Sequence, residues 1–228
     1  PRHQQFSTFI VELPNPGYNI LRDIKTMAIE GPYSHILGGG HSEVQIKDLE
    51  VPAENILGGE GNGFNMGQHR LAYGRLRHGM HNIAMAQRAL DLATKHVTSR
   101  STFGEKLSKR QGVQWMLADC ATQIYISRLM LLHIAYKAEK GMDLRQENSI
   151  AKVYLANMVH KVVDTAIQLH GALGYSQDTP LAAWYTHIRS QRLVDGPDEV
   201  HRWTVGRNVV KAFEKFGTTA SAAGGDLL

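Results

Sequence analysis

Residues 150–169 read IAKVYLANMVHKVVDTAIQL, and this stretch decides the fold. Its apolar residues, among them Ile150, Val153, Met158, Val159, Val162 and Val163, recur at helical spacings on more than one face. A helix that is apolar on several sides is surrounded, inside a bundle or at a subunit interface. Working outward, Ile83, Ala86, Leu90, Ala93 and Val97 mark a long upstream helix that continues back towards Leu71. Val113, Leu117, Cys120, Ile124 and Leu131 mark a second helix ending at Gly141. Downstream, a short helix is expected from about Pro180 to Leu193, and another from Pro197 to about Phe216. The pattern predicts a mainly α chain whose long helices form an up-and-down bundle.

The bundle is preceded by different material. Residues 5–13, 18–22 and 41–52 read as strands, with Pro14 and Pro16-Gly17 as a turn and Val44 and Ile46 on one face. Residues 55–63 read as a flexible loop, because the glycines lack the Gly-Lys-Ser/Thr ending of a phosphate cradle. The expected division is 1–57 for a partial β-domain, 58–216 for the helical bundle and 217–228 for a disordered, small-residue tail. The chain opens without Met and enters a strand almost at once, as the middle of a longer protein would.

The chain has 228 residues, 43% of them hydrophobic, enough for a sizeable core. A net charge of +4 with scattered basic residues suits a small anionic ligand and falls short of a nucleic-acid footprint. The apolar runs are too short for a membrane span. One cysteine, Cys120, excludes an intrachain disulfide and a CxxC site, and the histidines lack metal-ligand spacing, so no metal is expected. A bacterial cytoplasm and a mitochondrial or other organelle matrix both fit one free thiol.

RLVDGPDEVHRW, residues 192–203, carries the first candidate site. Pro197 at a first helical position, Gly196 as its cap, and Asp198 and Glu199 offsetting the helix dipole are ordinary helix-start chemistry. That reading leaves Asp195 unexplained, and a catalytic base is the other reading of it. RSTFGEKL, residues 100–107, falls between two helices, where Arg100 suits an anion and Phe103 a plug for the bundle end. In QLHGALGY, residues 168–175, Gly171 and Gly174 are natural helix stops.

Together these pieces resemble the acyl-CoA dehydrogenases. VPAENILGGEGNGF, AQRALDLATKHVTSRSTFG, QLHGALGY and the Asp-Gly before the last helix come in that family's order and spacing. DGPDEVH is similar to the branch that carries it in place of the usual Glu-Gly-Thr. The resemblance covers about residues 5 to 213, the later half of a middle β-domain and the C-terminal helical domain. It implies FAD as cofactor, with Arg100, Thr102, Phe103, Gln111, Gln168 and Gly171 contacting mostly the FAD of a neighbouring subunit. Glu199 stands where the family often has Gln, and Pro197 where it has a flavin-contacting Thr. Arg75 and Gly196 fall beside the acyl-CoA substrate, and Asp195 falls on the catalytic glutamate. The family's alternative base position is Gly74, which has no carboxylate. The implied reaction is α,β-dehydrogenation of an acyl-CoA, in a homodimer or homotetramer that passes electrons to an electron-transferring flavoprotein. A flavin oxidase such as nitroalkane oxidase, which also uses Asp, is one alternative. A non-catalytic helical assembly module is another. Because the resemblance places half the flavin site upstream of Pro1, these residues alone are expected to be colourless and inactive.

Overall fold

The computed structural model describes residues 4–27 and 41–224. Among them are six α-helices, of which three long ones set the architecture. These are α1 (Gly63–Ser99), α2 (Gln111–Glu139) and α3 (Arg145–His170). A single turn, α4 (Ala172–Tyr175), then α5 (Leu181–Ile188), a 3-10 segment (Arg189–Arg192) and α6 (Asp198–Phe216) complete the bundle.

As its all-round apolar pattern predicts, α3 is the central helix and packs on α1, α2, α5 and α6. Leu155, Met158, Val159, Val162, Val163 and Ala166 are all nearly inaccessible to solvent. Against them α1 presents Ala86, Ala89 and Ala93, small residues that let the helices approach closely. Gly79 marks a close crossing of the three helices. A Cβ there would lie 2.9 Å from both Leu131 Cδ2 of α2 and Leu155 Cδ1 of α3.

The β-part is thinner than its alternation suggests. β1 (Thr8–Phe9) pairs antiparallel with β4 (Ile56–Leu57), and β2 (Tyr18–Ile24) with β3 (His41–Ile46). The expected strand at 5–13 thus shrinks to two residues, and the expected loop at 55–63 contributes a strand. Val44 is half-buried while Ile46 is exposed. Among the described residues, the buried core cluster comes from the helices and none of it from these ladders.

Two further expectations are corrected. The segment between α1 and α2 is a hairpin, β5 (Ser101–Thr102) and β6 (Glu105–Lys106), with Phe103 and Gly104 at positive φ of 52° and 79°. That two-residue turn projects the Phe103 ring outward, 99% exposed, so it does not plug the bundle. The tail read as disordered forms a 3-10 turn at Ala220–Ala223 with Ala222 buried. Its carbonyl accepts a hydrogen bond from Gln146 Nε2, whose side chain also binds Asn208 of α6. Residues 225–228 of that tail lie outside the described residues. No helix among the described residues is long and apolar enough to cross a membrane.

Burial holds the imidazoles of His78, His96, His160, His187 and His201 below their ordinary pKa of 6.5. Folded values below unfolded ones mean that, under pH 6.5, the unfolded chain binds protons that the folded chain refuses. Stability is therefore complete above that value and falls as the pH drops through the folded values. The melting temperature by circular dichroism is expected to decline as the pH falls from about 6.5 to about 5. A flat profile over that window would contradict it.

Candidate functional site

Asp195 sits in a turn between the 3-10 segment and α6, at a positive φ of 53°, followed by Gly196 at 103°. Asp tolerates the left-handed region better than most residues, because its short side chain satisfies the backbone locally. Two side chains from distant elements hold this turn by the Asp195 carbonyl. Arg75 of α1 donates from Nε at 3.0 Å, and His201 Nε2 of α6 lies at 3.2 Å. A carbonyl only accepts, so the neutral His201 ring carries its proton on Nε2, leaving Nδ1 facing Ser149 Oγ at 3.2 Å. Gly196 is required twice over: by its φ, and because a Cβ there would lie 2.7 Å from His201 Nε2. The helix cap is Pro197, one residue later than the sequence suggests, and α6 begins at Asp198.

The Asp195 carboxylate points to α1. Its Oδ2 lies 3.4 Å from His78 Nε2, and the side chain is 16% exposed. A Cβ on Gly74 would come within 3.2 Å of the same oxygen. The missing side chain at Gly74 is thus the space that the carboxylate uses. Behind it, a narrow cleft between α1 and α3 has about 10 Å³ of free volume, room for one water.

Asp198 has a role that helix-start chemistry does not reveal. It is 1% exposed and accepts from Arg192 Nε at 2.8 Å, Lys152 Nζ at 3.1 Å and Asn157 Nδ2 at 3.1 Å. Burial pushes its pKa up, but those three donors outweigh burial and hold the carboxyl below its ordinary value. It is an ionised anchor tying α6 to α3. Arg192 is six positions away, but the partners on α3, Lys152 and Asn157, lie 46 and 41 positions away, where the local string does not signal them. Glu199, its neighbour, is exposed on the first turn of α6.

The other predicted residues collect elsewhere. Arg100, Thr102, Gln168 and Gly171 line one open groove of about 630 Å³, where the end of α1 meets the end of α3. His96 and His170 share it, their rings stacked at 4.4 Å. Phe103 and Gln111 are exposed and are not among the groove's lining. Gly74, Arg75 and His78, which meet the Asp195 turn, and His96 and Arg100, which line the groove, belong to the same helix and its cap, so the two places lie roughly 30 Å apart along its axis. Among the described residues, no group of three or more His, Cys, Asp or Glu is placed to hold a metal.

Residues 61–210 match the family model described as acyl-CoA dehydrogenase, C-terminal domain. A chicken protein, acyl-CoA dehydrogenase family member 11, is 38% identical over 90% of this chain, which spans 26% of that protein. The crystal structure of butyryl-CoA dehydrogenase from Megasphaera elsdenii superposes with a TM-score of 0.83 at 28% identity. It covers 91% of this chain and 52% of its own. The prolyl acyl carrier protein oxidase AnaB, at 23% identity and a TM-score of 0.80, shares the fold alone. The chain thus spans about half the length of these solved structures and a quarter of the curated relative.

Proposed function

The chain belongs to the acyl-CoA dehydrogenase family, whose C-terminal domain it carries, and from that premise we propose that it serves FAD-dependent α,β-dehydrogenation of an acyl-CoA thioester. The observation that carries the reading is the Asp195 carboxylate, the acid facing Gly74 where the family offers two places for a base. Bound FAD supplies the acceptor for the β-hydrogen, leaving as hydride. Asp195 takes the α-proton. The Asp195 backbone N–H is available to the thioester oxygen as negative charge builds there. Substrate binding on the open side of the turn would exclude water from the carboxylate. Arg75 and Gly196, beside the base, are proposed to frame the acyl-CoA.

The groove fits the pyrophosphate and adenosine part of FAD. It is large and open, and it sets the Arg100 cation beside the polar groups of Thr102 and Gln168. Phe103, next to Thr102 in the hairpin, and Gln111, two residues before Val113 of the lining, would add contacts to the same cofactor. Roughly 30 Å along α1 from the Asp195 turn, the groove would hold the far end of a FAD that serves another subunit's base. That arrangement requires a homodimer or a homotetramer of two such pairs. Glu199, on the first turn of α6 and four residues after the base, is proposed to face the flavin. Electrons then leave to an electron-transferring flavoprotein.

The test is anaerobic. The longer protein containing this chain, purified with flavin, is mixed with a series of acyl-CoA thioesters that includes butyryl-CoA. Rapid loss of the flavin absorbance supports the dehydrogenase. An Asp base also suits a flavin oxidase. Bleaching by a nitroalkane and by no thioester would move the assignment there. A longer protein that never holds flavin would leave a helical assembly module.

A further inference from the structure

One titratable group at the Asp195 turn has no part in the reaction above. His78 lies on α1 one helical turn beyond Gly74 and Arg75, so three residues of one helix face converge on one acid. Gly74 leaves room for the carboxylate, Arg75 holds the backbone carbonyl, and His78 Nε2 stands 3.4 Å from Oδ2. A carboxylate can only accept, so a neutral imidazole would engage it as the Nε2–H tautomer. At 3.4 Å the two groups are in ion-pair range without a formed hydrogen bond, and catalytic hydrogen bonds of this kind tighten when substrate closes the site.

We propose that His78 is a positioning residue for Asp195: its Nε2–H holds Oδ2, turns Oδ1 to the substrate α-carbon, and disables the base once the ring is protonated. The inference rests on the reading of Asp195 as base. Oδ1 receives the α-proton, and no proton passes through His78.

The charges facing His78 set the direction of its pH response. Burial is the largest influence and favours the neutral ring. Asp195 opposes it, while Arg77, His81 and Arg70 of α1 reinforce it. His187 of α5 faces the same cluster, and Arg75 and Lys152 share the cleft. The ring is therefore neutral at pH 7. In acid it becomes an imidazolium that pairs with the carboxylate across 3.4 Å and holds it in an ion pair, away from the α-proton. The reductive half-reaction acquires an acid limb that belongs to His78.

The experiment follows anaerobic flavin bleaching against pH in the longer, flavin-loaded protein. The wild type is compared with His78→Leu and His78→Gln, each with a thermal melt. His78→Leu loses the donor and is expected to lose at least about tenfold in rate across the pH range. His78→Gln keeps an N–H donor that does not titrate. It should recover part of that loss and move the acid limb to lower pH. A His78→Leu profile that superimposes on wild type overturns the proposal. If that variant fails to fold, a His78→Gln profile that keeps the wild-type acid limb overturns it instead. Failure of the base reading looks different: Asp195→Asn would still bleach.

Discussion

Asp195→Asn is expected to lower the rate of flavin bleaching by a saturating thioester about a hundred- to ten-thousandfold, the usual worth of a positioned general base. The substitution suits the test because it leaves the turn intact. Asn tolerates the left-handed backbone of residue 195 as well as Asp does. Arg75 and His201 grip the carbonyl, which is unchanged. Flavin content and melting temperature should stay near wild type, so the loss reads as lost proton transfer. Asp195→Glu tests geometry alone. It restores a carboxylate one methylene longer, in a backbone region that Glu adopts less readily, pushed towards Gly74 and His78. An error of about 1 Å in such a site costs on the order of a hundredfold. A variant Asn protein that bleaches at the wild-type rate would remove Asp195 from the mechanism.

The largest stability effect is expected at Asp198. Asp198→Ala leaves the Lys152 ammonium, 7% exposed, without its counter-ion. Breaking a buried pair from one side costs about 3–5 kcal/mol, because the remaining charge stays desolvated. Arg192 adds less, since its side chain is 37% exposed and water can replace the lost partner. For a chain of this size the melting temperature should fall by roughly 10 °C. The double variant Asp198→Ala, Lys152→Met removes both charges and should recover much of the loss. Circular dichroism melts of the three proteins read the effect. A melt of Asp198→Ala within a degree of wild type would mean that the cluster is effectively solvated.

The two results bear on different parts of the same segment. Residues 195 and 198 look alike as a string, two acids flanking Gly-Pro. One is held by its backbone and its carboxylate faces His78, and the other is clamped by three donors on its carboxylate.

The sequence by itself determined the bundle. Helical periodicity is local, so the stripe of Ile83, Ala86, Ala93 and Val97 and the all-round apolar surface of α3 were legible without any long-range information. The stop at Gly171 and the family resemblance were legible too, and four of the proposed cofactor residues do share one groove. The rest required the tertiary structure, because it rests on pairs far apart in the chain. Arg75 meets Asp195 across 120 positions and Lys152 meets Asp198 across 46. The small-residue tail showed no periodicity because a backbone carbonyl, at Ala222, is what ties it to Gln146. The Phe103 ring points outward because two consecutive positive φ values turn the hairpin there. His78 stood on its helix as one of several unmarked histidines. Only the packing of α1 against the turn gave its imidazole a carboxylate to face. Side-chain identity repeats along a helix with a period that a string can display, whereas the direction of a buried charge is set by whichever distant element desolvates it.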